Sequence, residues 1–493
     1  MTALAGSRTT GSAVRRGSGL LLTVLVGAQF MISLDATIVN VALPSIKQDL
    51  GMGQTSLGWV VNGYALAFGG LLLLGARLGD VFGRRRMLFI GTVVFALSSL
   101  WCGLAGGPGQ LVAARALQGV GAALMSPVAM AIVIATMDGQ ARNRALGLWG
   151  AMSGLAGGLG MLCGGLLSQL SWRWNFLVNV PISVVLLTVA VGSVPESKVP
   201  RNGRPDVLGA LLSTAGLSLL VYAVVRTRET SWTAPSTLLM LACSAALLAG
   251  FAGWERRAAD PVVPLRILRS RTVSAGNAVT ALTGGVGQVT YYFVTLYVQQ
   301  ALGYRPLTSG LVFLPISAAI FLTSTRASAL IRAIGLRRAL VAGLALSAAS
   351  LLWLSRAPAD GHYVADMLVP SVLWGLGWGL AQATSFIAPA QGVRPDLAGV
   401  ASGLIATTYR IGGAICLAAM ITTAAARTAH VTPAGATAGV AALASGFRVA
   451  FLGGAALALL GLLLALLLPR LEPPEPAPVA ASRAGDAQDE PAR

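Results

Sequence analysis

The chain has 493 residues, 55% of them hydrophobic and only 11% charged, with a mean hydropathy of +0.75. Soluble globular domains carry about 25% charged residues, so this composition excludes an ordinary water-soluble protein and points to lipid as the solvent. The net charge of +18 is not a nucleic-acid footprint, because the basic residues fall in short clusters between apolar segments, as the positive-inside rule expects.

Residues 1–18 read as a cytoplasmic N-terminus carrying Arg8, Arg15 and Arg16. The apolar run that follows is too long for a signal-peptide core and contains Asp35, so it reads as a retained helix. Runs of about 20 apolar residues cross a ~30 Å hydrocarbon core as helices, since backbone in lipid must satisfy its own hydrogen bonds. Such runs recur at 19–43, 57–77, 87–106, 110–136, 143–170, 174–195, 207–226, 235–254, 273–300, 307–331, 338–356, 363–391, 398–426 and 446–468. With the N-terminus placed in the cytoplasm, 24 Lys and Arg fall inside and eight outside. That bias predicts an even number of spans and both termini cytoplasmic. Polar loops at 196–206 and 255–271 bracket two nearly featureless helices, so 196–271 reads as cytoplasmic loops with an inserted pair. The other twelve helices divide into lobes at 19–195 and 272–468, and duplicated six-helix halves place a substrate site between them. The tail, 469–493, is Pro/Ala-rich and acidic and is expected to be disordered.

Within these spans a few residues carry chemistry. Asp35, in the string LDATIVNVALP (34–44), is an acid deep in an apolar helix, which is costly and therefore a functional hypothesis by default. It either couples to a proton or fixes helix packing by bonding a neighbour's backbone or Asn40. Arg115, Gln118 and Gly119 share one face of the fourth span, and Arg115 is a natural partner for Asp35, for coupling or for helix register. The loop GARLGDVFGRRR (75–86) holds Asp80, a turn-forming Gly83 and the run Arg84, Arg85 and Arg86. The fifth span holds Gly154, Gly158, Gly160, Gly164 and Gly165, spacings that permit close helix crossing and bending. Cys102, Cys163, Cys243 and Cys416 all lie in apolar segments without metal-ligand spacing. The sequence contains neither a phosphate-binding G-x-x-x-x-G-K-[ST] string nor a nucleophile constellation, so enzyme activity is not expected.

Taken together, these residues resemble the major facilitator superfamily, specifically its fourteen-helix drug:proton antiporter branch. LDATIVNVALP is similar to the branch's first-helix motif through Asp35, Thr37, Asn40 and Pro44. GARLGDVFGRRR resembles the superfamily's loop motif through Leu78, Asp80, Gly83, Arg84 and Arg85, with Ala76 in place of a usual glycine. RALQGVGAA, from Arg115, resembles the proton-transfer motif of the fourth helix. SWRWNFLVNVP (171–181), YYFVTLYVQQALGY (291–304) and YRIGGAI (409–415) resemble other branch-typical segments. There are departures: Met161 stands where the fifth-helix antiporter motif has a proline, and Ile331 replaces the acid in the second-half copy of the loop motif.

The resemblance implies an all-α integral membrane fold of two six-helix lobes plus two inserted helices, fourteen spans in all. It implies a central cavity between the lobes, opened alternately to each side. Asp35 and Arg115 become the proton-coupling residues, and Asp80, Gly83, Arg84 and Arg85 the loop gate. Gly160, Gly164 and Gly165 become the helix-bending antiporter motif. No cofactor is expected, the proton gradient being the driving force. The expected partners are a small hydrophobic substrate, protons and membrane lipid, with no nucleic acid. The chain is expected to act as a monomer in a bacterial cytoplasmic membrane.

Candidate cavity residues are Gln29, Asn40, Asn62, Tyr64, Gln118, Gln288, Tyr291, Tyr292, Trp374, Trp378, Gln382 and Arg410. Aromatic rings with a few amides suit adaptable hydrophobic recognition, although each is equally readable as helix–helix packing. One embedded acid beside two embedded guanidiniums is a poor host for a dication, so a neutral or weakly basic, mostly apolar substrate is expected. The function expected is proton-coupled efflux of drugs or antibiotics. Export of an endogenous metabolite such as a self-made antibiotic or siderophore, nutrient symport, and a non-transporting membrane sensor or scaffold are the alternatives.

Overall fold

The computed structural model describes residues 7–52, 54–196, 206–227, 230–258, 261–304, 306–358, 361–391, 393–394, 397–432 and 439–468. The tail at 469–493 and the basic residues Lys198, Arg201 and Arg204 lie outside the described residues.

The apolar runs fold into helices throughout. They are α1 (Ser7–Asp49), α2 (Gln54–Phe82), α3 (Arg84–Gly103), α4 (Pro108–Thr136) and α5 (Gly139–Leu170). The pieces Trp174–Leu177 and Asn179–Ser193 form α6. Then come α7 (Val207–Arg226), α8 (Pro235–Glu255), α9 (Arg271–Leu296), α10 (Pro306–Ile334), α11 (Leu336–Leu354), α12 (Val369–Ile387), α13 (Ala398–Val431) and α14 (Val440–Leu466). The first helix departs from the expected span at both ends. It begins at Ser7, inside the segment read as an N-terminal extension, and it continues through Pro44 to Asp49.

Among the described residues, eleven helices are long and apolar enough to cross a membrane. The apolar stretch of α7, Leu208–Val224, is shorter. The remaining two, α9 and α12, are diluted by Gly, Thr, Gln and Trp. Their polar residues are tolerated because they meet protein: Thr280, Thr283, Thr290, Gln382, Thr384 and Ser385 are all buried.

Helix contacts reveal a repeat. In the first six helices, α1 packs on α5, α2 and α3 pack on α4, and α6 packs on α1 and α3. In the last six, α9 packs on α13, α10 and α11 pack on α12, and α14 packs on α9 and α11. The two lobes are therefore built to the same plan. Each also has the same one-residue break between its second and third helices, at Gly83 (φ 103°) and Gly335 (φ 84°). Only glycine adopts such angles without strain. The inserted pair α7/α8 packs on itself, and α7 lies against both α2 and α13.

The lobes join along α5/α10, α2/α13, α4/α13 and α5/α12. Helix α5 is thinned on two faces. A Cβ on Gly154 or Gly158 would run into Ile320 or Ser317 of α10, while one on Gly160 or Gly164 would run into Thr37 or Ile38 of α1. Missing side chains let backbones approach, which is how membrane helices gain contact without a hydrophobic drive. Met161 packs against the core of the second lobe, and α5 runs unbroken from Gly139 to Leu170.

Gly158→Leu is therefore expected to destabilise the protein by about 1–3 kcal/mol, the usual cost of overpacking. Gly192→Leu, where a Cβ would meet nothing within 4 Å, should leave stability unchanged. Thermal unfolding of the detergent-solubilised variants reads the difference, and equal midpoints would contradict the tight α5/α10 contact.

Candidate functional site

Four helices of the first lobe converge on Asp35, which is 0% exposed. Its carboxylate accepts three hydrogen bonds: from Arg115 Nη1 at 2.7 Å, Gln118 Nε2 at 2.8 Å and Asn179 Nδ2 at 2.9 Å. Arg115, also 0% exposed, donates from Nε to the Val60 carbonyl at 3.0 Å and from Nη1 to Gln118 Oε1 at 2.6 Å. Ser99 completes the network. Its hydroxyl accepts from Gln118 Nε2 and Asn179 Nδ2, and donates to the Phe176 carbonyl at 2.9 Å. The guanidinium lies 4.3 Å from the ring centre of Tyr64 and 5.7 Å from that of Phe176. Gly119 permits this approach: a Cβ there would strike the Tyr64 backbone.

Charges out of water are held only where each is paired and its remaining hydrogen-bonding groups are filled. Asp35, Arg115 and Gln118 meet that condition jointly across α1 and α4; Asn179 of α6 adds its Nδ2 to the carboxylate, while its own Oδ1 is buried without a partner. Two residues placed among the cavity candidates belong to this buried cluster instead: Gln118 bridges the ion pair, and Tyr64 stacks on Arg115. Asn40, the alternative partner for Asp35, is exposed and donates to Ala36 and Thr37 carbonyls of its own helix. Sequence reasoning missed Ser99 and Asn179. Asn179 had a signal, an amide inside the apolar run after NFLV, whereas a serine in a membrane helix has none.

The remaining candidates separate. Gln29 is buried and donates to Ser33 and Ser153 and accepts from Ser126, tying α1, α4 and α5 together. In the second lobe Tyr291 stacks on Phe313 at 5.5 Å and meets Trp374 and Trp378 edge-on, while the two indoles stack at 5.2 Å. The Tyr291 hydroxyl crosses the lobes to the Gly154 carbonyl at 3.3 Å. Tyr292 packs edge-on against Phe293 at 5.2 Å. Gln382 is buried and donates to the Tyr409 hydroxyl at 2.7 Å. Gln288 is exposed beside Gly413, and Asn62 is half-buried near Gly58. Arg410 is half-buried over the Phe68 ring at 4.6 Å, so it too lies between lobes. Among the described residues no carboxylate pairs with it.

A second constellation closes one end of the lobe interface. Buried Asp80 accepts from Arg84 Nε at 3.0 Å and Nη2 at 2.7 Å. The same carboxylate abuts Gly399 at the start of α13, where any Cβ would collide with it. A helix N-terminus favours an anion through its unpaired N–H groups and dipole, so Asp80 links the lobes. Gly83 turns under the Glu196 carboxylate, which accepts the Arg85 N–H at 3.2 Å. Nearby, Arg142 donates to the Ala390 carbonyl at 3.4 Å, and Gln391 donates to Asn143 at 3.1 Å. This further interlobe pairing was not foreseen, because it joins the start of α5 to the segment after α12, far apart in sequence. Aligning the breaks at Gly83 and Gly335 places exposed Arg332, rather than Ile331, at the position corresponding to Asp80, while Ile331 beside it packs on an apolar cluster of Ala327, Ala339, Leu380 and Ala383. Of the antiporter-motif glycines, Gly160 and Gly164 hold α5 against α1, and Gly165 is half-buried.

Known proteins share this fold. The family model described as Major Facilitator Superfamily matches residues 25–416. The chain belongs to the major facilitator superfamily. Among curated members it is 38% identical to the cephamycin export protein of Amycolatopsis lactamdurans, over 96% of this chain and 97% of that one. It is 37% identical to the puromycin resistance protein of Streptomyces alboniger, over 83% of this chain and 82% of that one. A solved proton:xylose symporter superposes with a TM-score of 0.62 at 14% identity, covering 91% of this chain and 95% of its own. The human organic anion transporter MFSD10 gives 0.60 at 16%, covering 92% and 99%. These two likenesses show the superfamily fold. The chain is a multi-pass membrane protein and a transporter by family, not an enzyme.

Removing one partner of a buried ion pair strands the other charge and typically costs about 3–5 kcal/mol, whereas replacing both with apolar residues can be nearly neutral. Arg115→Leu alone is expected to lower thermal stability sharply, and Asp35→Leu/Arg115→Leu together to recover most of it. Unfolding midpoints of the single and double variants test this; simple additivity would show that the pair is not the unit described.

Proposed function

We propose that this chain exports small, largely apolar antibiotics or drugs across the bacterial plasma membrane, exchanging them for protons by alternating access. The observation that carries this reading is the fully buried Asp35 carboxylate held by Arg115, Gln118 and Asn179. A proton on Asp35 cancels the charge that Arg115 pairs with, so proton and guanidinium compete for one site. Release of Arg115 from Asp35 changes how α1 and α4 are tied, and α1 and α4 touch the interlobe helices α5 and α13. The proton gradient supplies the drive without a cofactor. Each charge moved through the membrane potential contributes about 2.3 kcal/mol per 100 mV.

The proposed topology is fourteen spans with both termini cytoplasmic, which puts the Asp80 and Arg142 contacts on the cytoplasmic side. The lobes then lie closed to the cytoplasm in this conformation. The chain is proposed to act as a monomer. The aromatic group of Tyr291, Trp374 and Trp378, with Gln288 and Arg410 beside the lobe interface, forms the proposed substrate wall. Because Asp35 and Arg115 offset each other within the first lobe, Arg410 is the charge the substrate meets, which disfavours dicationic cargo. The similarity to a cephamycin export protein supports a self-made antibiotic as one form of the same cargo.

In energised inverted vesicles the wild type is expected to accumulate such a compound and to dissipate the pH gradient when it is added. Asp35→Asn should abolish both effects while still reaching the membrane. Undiminished, pH-dependent accumulation by that variant would sink the coupling role of Asp35. Arg410→Gln should improve transport of monocationic compounds relative to neutral ones in the same assay, and no change in that ratio would remove Arg410 from the substrate path.

A further inference from the structure

The inserted hairpin carries a cavity that the export cycle does not use. Between α7 and α8 lies a groove of about 440 Å3 lined by Leu212, Gly250, Gly253, Trp254, Arg256 and Arg257. Its glycine side is open: a Cβ on Gly250 or Gly253 would meet nothing within 4 Å. Arg256 and Arg257 are exposed and follow Glu255, the last residue of α8. Trp254 is held in place by its indole N–H, which donates to Asp206 at 2.8 Å.

Of the two neighbouring acids, Asp206 lies behind the indole and bonds through Oδ1 alone, and Glu255 is turned away from the groove. Asp206 accepts the Gly209 N–H at 2.8 Å at the start of α7. Glu255 is buried and accepts the N–H groups of Val262 and Val263 at 3.0 and 3.2 Å. Among the described lining residues the charged groups are the two guanidiniums.

The groove thus has an apolar floor between two lipid-facing helices, an indole where the helix leaves the apolar zone, and paired cations at its polar end. Arginine pairs bind phosphate oxygens through directed, charge-assisted hydrogen bonds, and basic pockets between membrane helices suit anionic headgroups. We propose that this groove binds an anionic phospholipid, its acyl chain lying along Leu212, Gly250 and Gly253 and its phosphodiester pairing with Arg256 and Arg257. A zwitterionic lipid fits less well, because its ammonium offsets the attraction. The site adjoins the lobe contact: Val262 and Val263, held by Glu255, pack with Leu73 of α2 and Val400 of α13.

The test uses the full-length protein in detergent, with phosphatidylglycerol or phosphatidylethanolamine added, read by native mass spectrometry and by thermal unfolding. Wild type is expected to retain phosphatidylglycerol in preference to phosphatidylethanolamine. Arg256→Gln/Arg257→Gln should retain it roughly 30-fold more weakly, at about one kcal/mol per cation. Gly250→Leu/Gly253→Leu, which fills open space without touching the core, should also lose it. Phosphatidylglycerol should raise the unfolding midpoint of wild type but of neither variant, since a ligand stabilises only the state that binds it. Equal retention of both lipids by wild type, undiminished retention in either variant, or an equal midpoint rise from soluble glycerol phosphate would each overturn the proposal. None of these residues lies in the Asp35 cluster, so the result is independent of the export reading.

Discussion

A carboxylate and a guanidinium in the interior of a membrane protein cannot stand separately, and the first lobe is organised around that fact. Asp35 on α1 and Arg115 on α4 meet at 2.7 Å with both side chains almost wholly buried. Two amides from α4 and α6 and a hydroxyl from α3 fill the remaining positions. Four helices are thereby fixed relative to one another by a polar network in a layer otherwise made of Leu, Val, Met and Phe. Local sequence choices follow from it. Gly119 keeps α4 close enough to α2 for Tyr64 to cover the guanidinium, and Ser99 supplies a small hydroxyl where a larger side chain would force the amides apart. Such a network is stable while complete and costly when one member is lost, which gives a single proton leverage over the whole lobe.

The two lobes share a helix plan but not the chemistry of their inner ends. In the first, Asp80 is paired with Arg84 and pressed against the start of α13. In the second, the corresponding position holds exposed Arg332, and the Ile331 beside it packs into an apolar cluster. An ionic contact to a helix terminus is directional and sensitive to charge, whereas an apolar one slides. The link through Asp80 is therefore the specific one, and the contacts of Arg142 and Gln391 with the other lobe reinforce it. The inserted hairpin adds a third element, since α7 touches α2 and α13 together and the turn after α8 packs into the same corner.

Helix α5 shows how the absence of side chains does mechanical work. Its glycines place it against α1 on one side and α10 on the other, so a rearrangement of α1 is felt at the lobe interface. Met161 leaves the helix uninterrupted and supplies a flexible thioether to the second lobe's core. The aromatic group around Tyr291 sits directly opposite, with one hydroxyl reaching the α5 backbone.

The sequence by itself determined the solvent, the helices and the identity of the embedded charges. Apolar runs near twenty residues long leave the backbone one way to satisfy its hydrogen bonds in lipid, so the span positions were readable, apart from helix ends such as that of α1. A buried acid and a buried arginine were equally visible, because each breaks an apolar pattern. Which groups surround them was not. Asn179 reaches Asp35, and Ser99 reaches the amides that hold it, only because α3 and α6 pack across α1, and Tyr64 covers the guanidinium because of a helix rotation that periodicity leaves free. The same holds for Arg142 with Ala390 and for Gln391 with Asn143, pairs 248 residues apart that meet only when the lobes close. Hydropathy is a property of each segment alone, whereas burial of a polar atom is a property of its neighbours, and those are chosen only in the folded protein.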